Sequence, residues 1–209
     1  RVMTKAAGID QERIRAAVRE LLLAIGEDPD RDELAATPDR VAQSYAEFFS
    51  GVGVDPAELL SEAVPVGDDT GELVLMRDIT LRSVCEHHLL PFRGRVHIAY
   101  RPRARVVGLG ALPRVVEVLA SRPQLQERLG EQIAETVDAA LSPHGVIVVI
   151  EAQHGCVTDR GVRQADSSAV TIASRGLYAN ALERAEVMAL ISMGDRSADR
   201  AGESAGAHR

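Results

Sequence analysis

The spacing of apolar residues divides the chain into a helical first third and a longer part in which strands and helices mix. Between Asp10 and Gly26 the apolar positions recur at helical spacing, which predicts a helix with Asp10 as its N-cap. A second helical stripe follows Thr37-Pro38, where Thr37 is the expected N-cap and proline suits the first helical position. Residues 1–65 are therefore predicted to form an N-terminal helical extension.

Beyond residue 70 the apolar residues alternate with polar ones, as in half-buried β-strands. Strands are expected over 72–77, 79–83, 95–101, 146–150 and 169–174, with a short one at 106–107; helices are expected over 112–120, 124–141 and 180–191. This order predicts an α+β domain over 66–193, with a mostly antiparallel four-stranded sheet and two helices on one face. The other face and the edges of the sheet need a partner, so oligomerisation is expected. The polar, Gly- and Ala-rich residues 194–209 are predicted to be a disordered tail.

Composition narrows the class of protein. Hydrophobic residues make up 45% of the 209 residues, and because aromatic residues are only 3% the core must be aliphatic. A net charge of −7 argues against a surface that coats nucleic acid, although a local basic pocket for a phosphorylated small molecule is compatible with it. No apolar run approaches the roughly 18 residues of a membrane span, and no signal-peptide pattern is present, so a cytoplasmic protein without a membrane partner is expected.

Two short segments, Cys85-Glu86-His87-His88 and His154-Gly155-Cys156, hold both cysteines and three of the six histidines. Cys85 and His88 have the spacing at which two side chains of one turn converge on a metal ion, and Cys156 is the natural third ligand. Three ligands and an open water position are typical of catalytic zinc, and spare imidazoles would serve proton transfer. Spacing alone leaves open which histidine ligates. It also leaves open a structural zinc with four ligands, including His154.

Polar residues near these segments suggest a nucleotide substrate. Gln126 and Glu127 open the long predicted helix, where a carboxylate commonly interacts only with the helix dipole. The functional interpretation is that both face a pocket and bind the edge of a heterocycle such as guanine. Arg114, Arg122 and Arg160 lie near these segments in sequence, and arginines beside a metal motif suggest an anionic substrate, although each alone would be an ordinary surface charge. Arg40, in the first turn of a helix, would on its own be a solvated surface residue.

With these residues in view, the chain resembles GTP cyclohydrolase I of the bacterial type. The resemblance is carried, in the family's order, by residues 37–42, 83–92, 94–102, 124–133, 145–151, 154–156 and 160–161. The Cys-Glu-His-His-Leu-Leu-Pro block with its downstream His-x-Cys is the most specific part. The likeness extends over about residues 10–193.

The resemblance implies a T-fold (tunnelling fold) subunit in a toroidal homodecamer, with active sites between subunits. In that family a zinc-activated water adds to C8 of GTP, the imidazole ring opens and formate leaves. An Amadori rearrangement of the ribose then closes the pteridine ring, giving 7,8-dihydroneopterin triphosphate for pterin and tetrahydrofolate biosynthesis.

The resemblance also implies a role for individual residues. It assigns Zn²⁺ to Cys85, His88 and Cys156, and proton transfer to His87 and His154. It assigns the guanine to Gln126 and Glu127, and the triphosphate to Arg40, Arg114 and Arg160.

The chain departs from the family pattern around the phosphates and the ribose. Gly110 and Ala111 stand where the family usually has Ser-Lys, Asp159 precedes Arg160, and Gly130 replaces a usual Thr. Asp159 would compete for Arg160, and losing one charge-assisted hydrogen bond costs about 1.5–3 kcal/mol. We therefore expect either GTP turnover or a divergent enzyme that takes a less phosphorylated or modified guanine compound, or stops at a ring-opened formamide. An inactive T-fold scaffold or binder is the non-enzyme alternative.

Overall fold

A computed structural model describes residues 8–67 and 72–206, with side chains described up to residue 193. The chain begins with α1 (Gln11–Ala24), whose N-cap Asp10 accepts from the backbone N–H of Arg13 at 3.0 Å, as predicted. The second helix, α2, spans Thr37–Phe48. Its N-cap is Ala36, so the prediction of Thr37 was wrong by one residue. The reason is that the Thr37 N–H already bonds the carbonyl of Leu34, within a turn that leads into the helix.

The extension is tied to the rest of the chain at Gly51. Its N–H donates to the Ser121 carbonyl at 3.0 Å, and Arg122 donates to the carbonyls of Gly51 and Val54 at 2.8 and 2.5 Å. A Cβ at Gly51 would lie 1.9 Å from the carbonyl oxygen of Val118, so only glycine allows this approach. Burial lowers the pKa of Arg122. This arginine therefore joins the extension to the sheet domain.

A 3₁₀ helix over Pro56–Leu60 continues the extension, and Leu60 is buried in the main core. Two short strands then pair, β1 (Val64–Pro65) with β4 (Arg105–Val106). Between them lie β2 (Val74–Cys85) and β3 (Pro91–Arg101), which form an antiparallel hairpin. The two predicted strands 72–77 and 79–83 are one strand, β2, which a bulge interrupts at Asp78, where φ is 58°.

Within the described residues the main sheet has five strands rather than the predicted four. Its order is β5 (Pro123–Gln124), β2, β3, β6 (Gly145–His154) and β7 (Ala169–Gly176). The four long strands are antiparallel, as predicted, and β5 pairs with the end of β2 in parallel. Two residues are too short to show an alternating pattern, which is why the sequence assigned this stretch to the following helix.

Helices cover both faces of the sheet. As predicted, α3 (Ala111–Ala120) and α4 (Gln126–Leu141) cover one face and bury the larger apolar cluster. A four-residue helix, α5 (Gly155–Thr158), follows β6. On the other face a smaller cluster joins Ile147 and Val149 to Val187 and Ile191 of α6 (Ala181–Gly206). Part of the face that was expected to need a partner is therefore covered by the chain itself.

The predicted disordered tail, 194–209, overlaps the end of α6. Side chains beyond residue 193 and residues 207–209 lie outside the described part of the chain, so the tail stays a prediction. Among the described residues, no helix is long and apolar enough to cross a membrane.

Candidate active site

The β2–β3 hairpin presents the Cys-Glu-His-His segment at its tip. The Cys85 N–H donates to the Leu90 carbonyl at 2.8 Å, and the Leu89 N–H donates to the Cys85 carbonyl at 2.9 Å. Leu89 has a positive φ of 53°, which turns the chain back into β3. The Glu86 N–H also donates to the Gln124 carbonyl of β5 at 3.0 Å. The segment is thus a closed turn, anchored on the edge of the sheet.

The His-Gly-Cys segment reaches the same place from β6. Phe92 at the start of β3 is paired with His154 at the end of β6, and Val84 at the end of β2 is paired with Pro91. The helix α5 begins directly after His154 and carries Cys156. Residues 70 positions apart in sequence therefore meet because the hairpin tip and the end of β6 lie at one edge of the sheet.

Cys85, His154 and Cys156 form a group whose ligand atoms all lie within 4.8 Å of one another. Burial raises the pKa of the Cys156 thiol, and the adjacent Cys85, which is hydrogen-bonded to it, raises it further. Two thiols and an imidazole are soft donors that suit zinc and do not suit magnesium or calcium. The donor set therefore fits the zinc that the sequence predicts.

His88 is not part of this group. It is exposed, and its Nε2 lies 3.2 Å from a guanidinium nitrogen of Arg160. The ring of His87, also exposed, is edge-on to that of His88 with centroids 6.4 Å apart. The predicted ligands are the two cysteines and His88, whereas the observed group contains His154 in place of His88. The assignment of His88 as a metal ligand stays a prediction.

His154 is held on two sides. Its ring stacks on buried Phe92, with centroids 4.6 Å apart and planes 6° from parallel, and its Nε2 lies 2.8 Å from Oε1 of Gln126. Burial lowers the pKa of His154, while the nearby carboxylate of Glu127 acts in the opposite direction. The neutral imidazole is thereby favoured, which is the form that accepts a proton or binds a metal.

The side chain of Gln126 is engaged inside the single chain, and its predicted contact with guanine stays a prediction. It is 2% exposed, and its amide contacts His154 and the backbone of β6 and β7. The sequence contained a signal for this burial, because Gln126 falls at helical spacing from Leu129 and Ile133 and therefore lies on the same buried stripe of α4. Phe92 was also missed, because its contact with His154 depends on strand pairing.

A further contact missed from the sequence joins the hairpin tip to α4. Both guanidinium nitrogens of Arg128 donate to the carboxylate of Glu86, at 2.7 and 2.8 Å. These hydrogen bonds lower the pKa of Glu86. The pair is partly exposed, so it contributes little to stability, and its chief effect is to fix the turn that carries Cys85 relative to α4.

The predicted substrate residues lie on the surface. Glu127, next to His154 in space, is exposed, and so are Arg40, Arg114 and Arg160. Among the described residues, no side-chain hydrogen bond or ion pair engages the guanidinium of Arg40 or Arg114, and nothing links either to the cysteine pair.

Two of the positions that depart from the family pattern, Gly110 and Asp159, are exposed. A Cβ at Gly110 would meet nothing within 4 Å, and Gly110 is the N-cap of α3, whose first residue is Ala111. Asp159 accepts from the hydroxyl of Thr158 at 2.6 Å. Within the described part of the chain it forms no ion pair with Arg160, so the expected competition for that arginine is not seen.

Comparisons with known proteins identify the family of this chain. The sequence profile of GTP cyclohydrolase I matches residues 14–192. A protein named GTP cyclohydrolase 1 from Leifsonia xyli subsp. xyli is 55% identical over 187 residues, covering 90% of this chain and 98% of the relative. The proteins of that name from Caldanaerobacter subterraneus subsp. tengcongensis and Bacillus subtilis are 53% and 50% identical, covering 88% and 90% of this chain, and each is itself covered over 98% of its length.

Among solved structures, the apo form of the archaeosine synthase QueF-Like is 21% identical. It covers 50% of this chain and 93% of its own, with a TM-score of 0.39, too distant to argue from. The profile match and the curated relatives show that this chain belongs to the GTP cyclohydrolase I family.

Proposed function

We propose that the chain opens the imidazole ring of GTP at C8, releases formate and closes the pteridine ring to give 7,8-dihydroneopterin triphosphate. The observation that carries the proposal is the group of Cys85, His154 and Cys156 within 4.8 Å at one edge of the sheet. It lies in a chain that is 55% identical to a relative of this name over nearly its whole length.

Zinc is the metal we propose for this group, with Cys85 and Cys156 as thiolate ligands and His88 as the third. Support for His88 is its position on the same closed turn as Cys85, at the spacing that metal-binding turns use. Zinc bound there would supply Lewis-acid activation of a water molecule near neutral pH.

His154 and His87 are the proposed proton carriers. His154 is half-buried beside the two thiols, favours its neutral form and is held in one orientation by Phe92 and Gln126. A general base needs an accessible lone pair at the operating pH, and a neutral imidazole provides it. His87 is exposed at the hairpin tip and is placed to exchange protons with solvent.

Substrate contacts are proposed for the exposed residues. Glu127 would accept hydrogen bonds from the N–H groups of guanine, beside His154. Arg160, at 3.2 Å from His88, would bind phosphate close to the site. Arg40 and Arg114 would complete the phosphate site in a homodecamer whose active sites lie between subunits, as the family resemblance implies.

The test is a product assay with the zinc-loaded protein and GTP, GMP and guanosine as separate substrates. We expect one formate per GTP and the appearance of a fluorescent pterin. Turnover of GMP or guanosine in preference to GTP would favour the divergent enzyme, and formate without pterin would favour an enzyme that stops at the opened ring. No formate from any of the three would leave only the inactive scaffold.

A further inference from the structure

The side-chain amide of Gln126 connects the ring of His154 to the backbone of two strands. Its Nε2 lies 3.0 Å from the carbonyl oxygen of Ile150 in β6 and 2.9 Å from that of Ala169 in β7. The hydroxyl of Thr171 is 3.1 Å from the same nitrogen. On the other side, Oε1 of Gln126 lies 2.8 Å from Nε2 of His154. With 2% of the residue exposed, these contacts account for the whole amide.

The two carbonyl oxygens fix the orientation of this amide. A backbone carbonyl only accepts hydrogen bonds, so the –NH₂ end of Gln126 has to face Ile150 and Ala169. Rotating the amide by 180° would place its oxygen against two other oxygens and lose both hydrogen bonds in a buried site. The orientation is therefore determined by the sheet.

The orientation of the amide then determines the state of the imidazole. Because Oε1 of Gln126 has no hydrogen to donate, the bond to His154 forms only when Nε2 of the ring carries the proton. In a neutral imidazole this leaves Nδ1 unprotonated. The stacking on Phe92, with planes 6° from parallel, keeps the ring in the plane that this bond requires.

We propose that Gln126 is a positioning residue that holds His154 in the Nε2–H tautomer and leaves Nδ1 as the nitrogen with a free lone pair. A base or ligand beside two thiols has to present a lone pair in a fixed direction, and an acceptor on its other nitrogen is the usual device for this. The kinetic part of the test rests on the proposed function; the structural part does not.

Neutron diffraction from crystals of the zinc-loaded wild-type protein, exchanged into D₂O, tests the tautomer directly. We expect deuterium on Nε2 of His154, none on Nδ1, and the amide nitrogen of Gln126 facing Ile150 and Ala169. Deuterium on Nδ1, or Nε2 bound to the metal instead of to Gln126, would overturn the proposal. This measurement needs no substrate, so it stands even if GTP is not turned over.

The kinetic test compares Gln126→Met with Gln124→Met. Gln124 is a matched control, since it is also 2% exposed and its amide donates to the carbonyl of Leu119 and to Gln132, without touching His154. Both variants lose buried hydrogen bonds, and their thermal unfolding and zinc content are measured alongside activity. We expect kcat for GTP to fall about 10–100-fold in Gln126→Met, with KM within about threefold, and kcat in Gln124→Met to stay within about threefold.

Two kinetic outcomes would contradict a positioning role. A rise of KM for GTP in Gln126→Met with kcat retained would return Gln126 to the guanine site. Equal losses of kcat in the two methionine variants would show that only packing is involved. Wild-type turnover of GTP is measured first, so failure of the proposed function is recognised separately from failure of this inference.

Discussion

On one side of the site His154 lies between the ring of Phe92 and the amide of Gln126, whereas on the other side charged and imidazole side chains reach into solvent. We call the first set the buried half; it consists of half-buried His154 and of Cys85, Phe92 and Gln126, which are buried. The second set is the exposed half, and its members are His87, His88, Glu127 and Arg160. The buried half is positioned by strand pairing and by hydrogen bonds to the sheet. The exposed half has few such constraints.

This difference separates two parts of the chemistry. A proton carrier and metal ligands need fixed geometry before substrate arrives, because misplacement of the order of 1 Å costs rate. Contacts to a flexible triphosphate tolerate side chains that order only when substrate or a second subunit is present. The buried half therefore depends on this chain's own packing, and the exposed half depends on what binds to it.

The largest effect is expected from Cys156→Ser. Serine is a poor zinc ligand, so we expect zinc content to fall from about one ion per chain to near zero and kcat/KM to fall by about 10⁴-fold, equivalent to about 5.5 kcal/mol of lost stabilisation. Metal analysis and GTP turnover measure the two effects. Val157→Ser, one residue along α5, is the control and should keep its zinc. Full activity of a metal-free Cys156→Ser variant would refute the metal site.

Next in size is the contrast between His154→Ala and His88→Ala. If His154 carries protons and His88 is the third ligand, His154→Ala keeps its zinc while kcat falls about 10²- to 10³-fold, a typical value for an acid–base group. His88→Ala should instead lose zinc. The reverse result, with zinc lost only from His154→Ala, would show that the observed group of Cys85, His154 and Cys156 is the ligand set.

The extent to which the sequence predicts this site follows the same division. Cys85, Cys156 and His154 were identified from local spacing and motif, and the folded chain brings them together. The contacts that hold His154 were not identified from the sequence, because Phe92 and Gln126 reach it only through the β3–β6 pairing and the packing of α4. The same reason explains β5: two residues that pair in parallel with β2 leave no local pattern. Long elements with a regular apolar period, such as α4 and β6, were predicted to within a few residues.

A smaller effect is expected from Glu127→Gln in the exposed half. Replacing the carboxylate by an amide puts an N–H against the N–H groups of guanine, so we expect KM for GTP to rise about 10- to 100-fold, the worth of one charge-assisted hydrogen bond. The rate constant kcat should change little. Glu135→Gln, also exposed on α4, is the matched control. An unchanged KM in Glu127→Gln would remove Glu127 from the guanine site.

Restoring a cation at Ala111 tests the phosphate side. Ala111, the first residue of α3, is partly buried against the main core, so the stem of a lysine would lie along the protein and its ammonium group would extend to solvent. We expect Ala111→Lys to lower KM for GTP by up to about tenfold, or about 1.4 kcal/mol, and the gain to shrink as salt is added. Ala111→Gln supplies similar length without charge and should have no such effect. An unchanged KM for GTP in both variants would show that the triphosphate does not bind near residue 111.

The smallest effect, and the one that separates packing from positioning, is expected from Gly130→Ala. Gly130 is one turn after Gln126 on the buried side of α4, and an added Cβ would lie 3.6 Å from Cδ1 of Ile150 and 3.7 Å from Cβ of Ala173, both ordinary contacts. Alanine in a helix interior is favoured over glycine by about 0.5–1 kcal/mol, which for a chain of this size raises Tm by about 1–4 °C.

Gly94→Ala is the contrasting control for Gly130→Ala, since its Cβ would lie 1.9 Å from the carbonyl oxygen of Glu151 and should strongly destabilise the β3–β6 pair. Thermal unfolding and GTP kinetics of both variants complete the comparison. A higher Tm with unchanged kcat in Gly130→Ala would show that α4 keeps the same position against the sheet, and against His154, during turnover. A higher Tm with a lower kcat would mean that α4 has to move against the sheet during turnover, and that the buried half is less fixed than its contacts indicate.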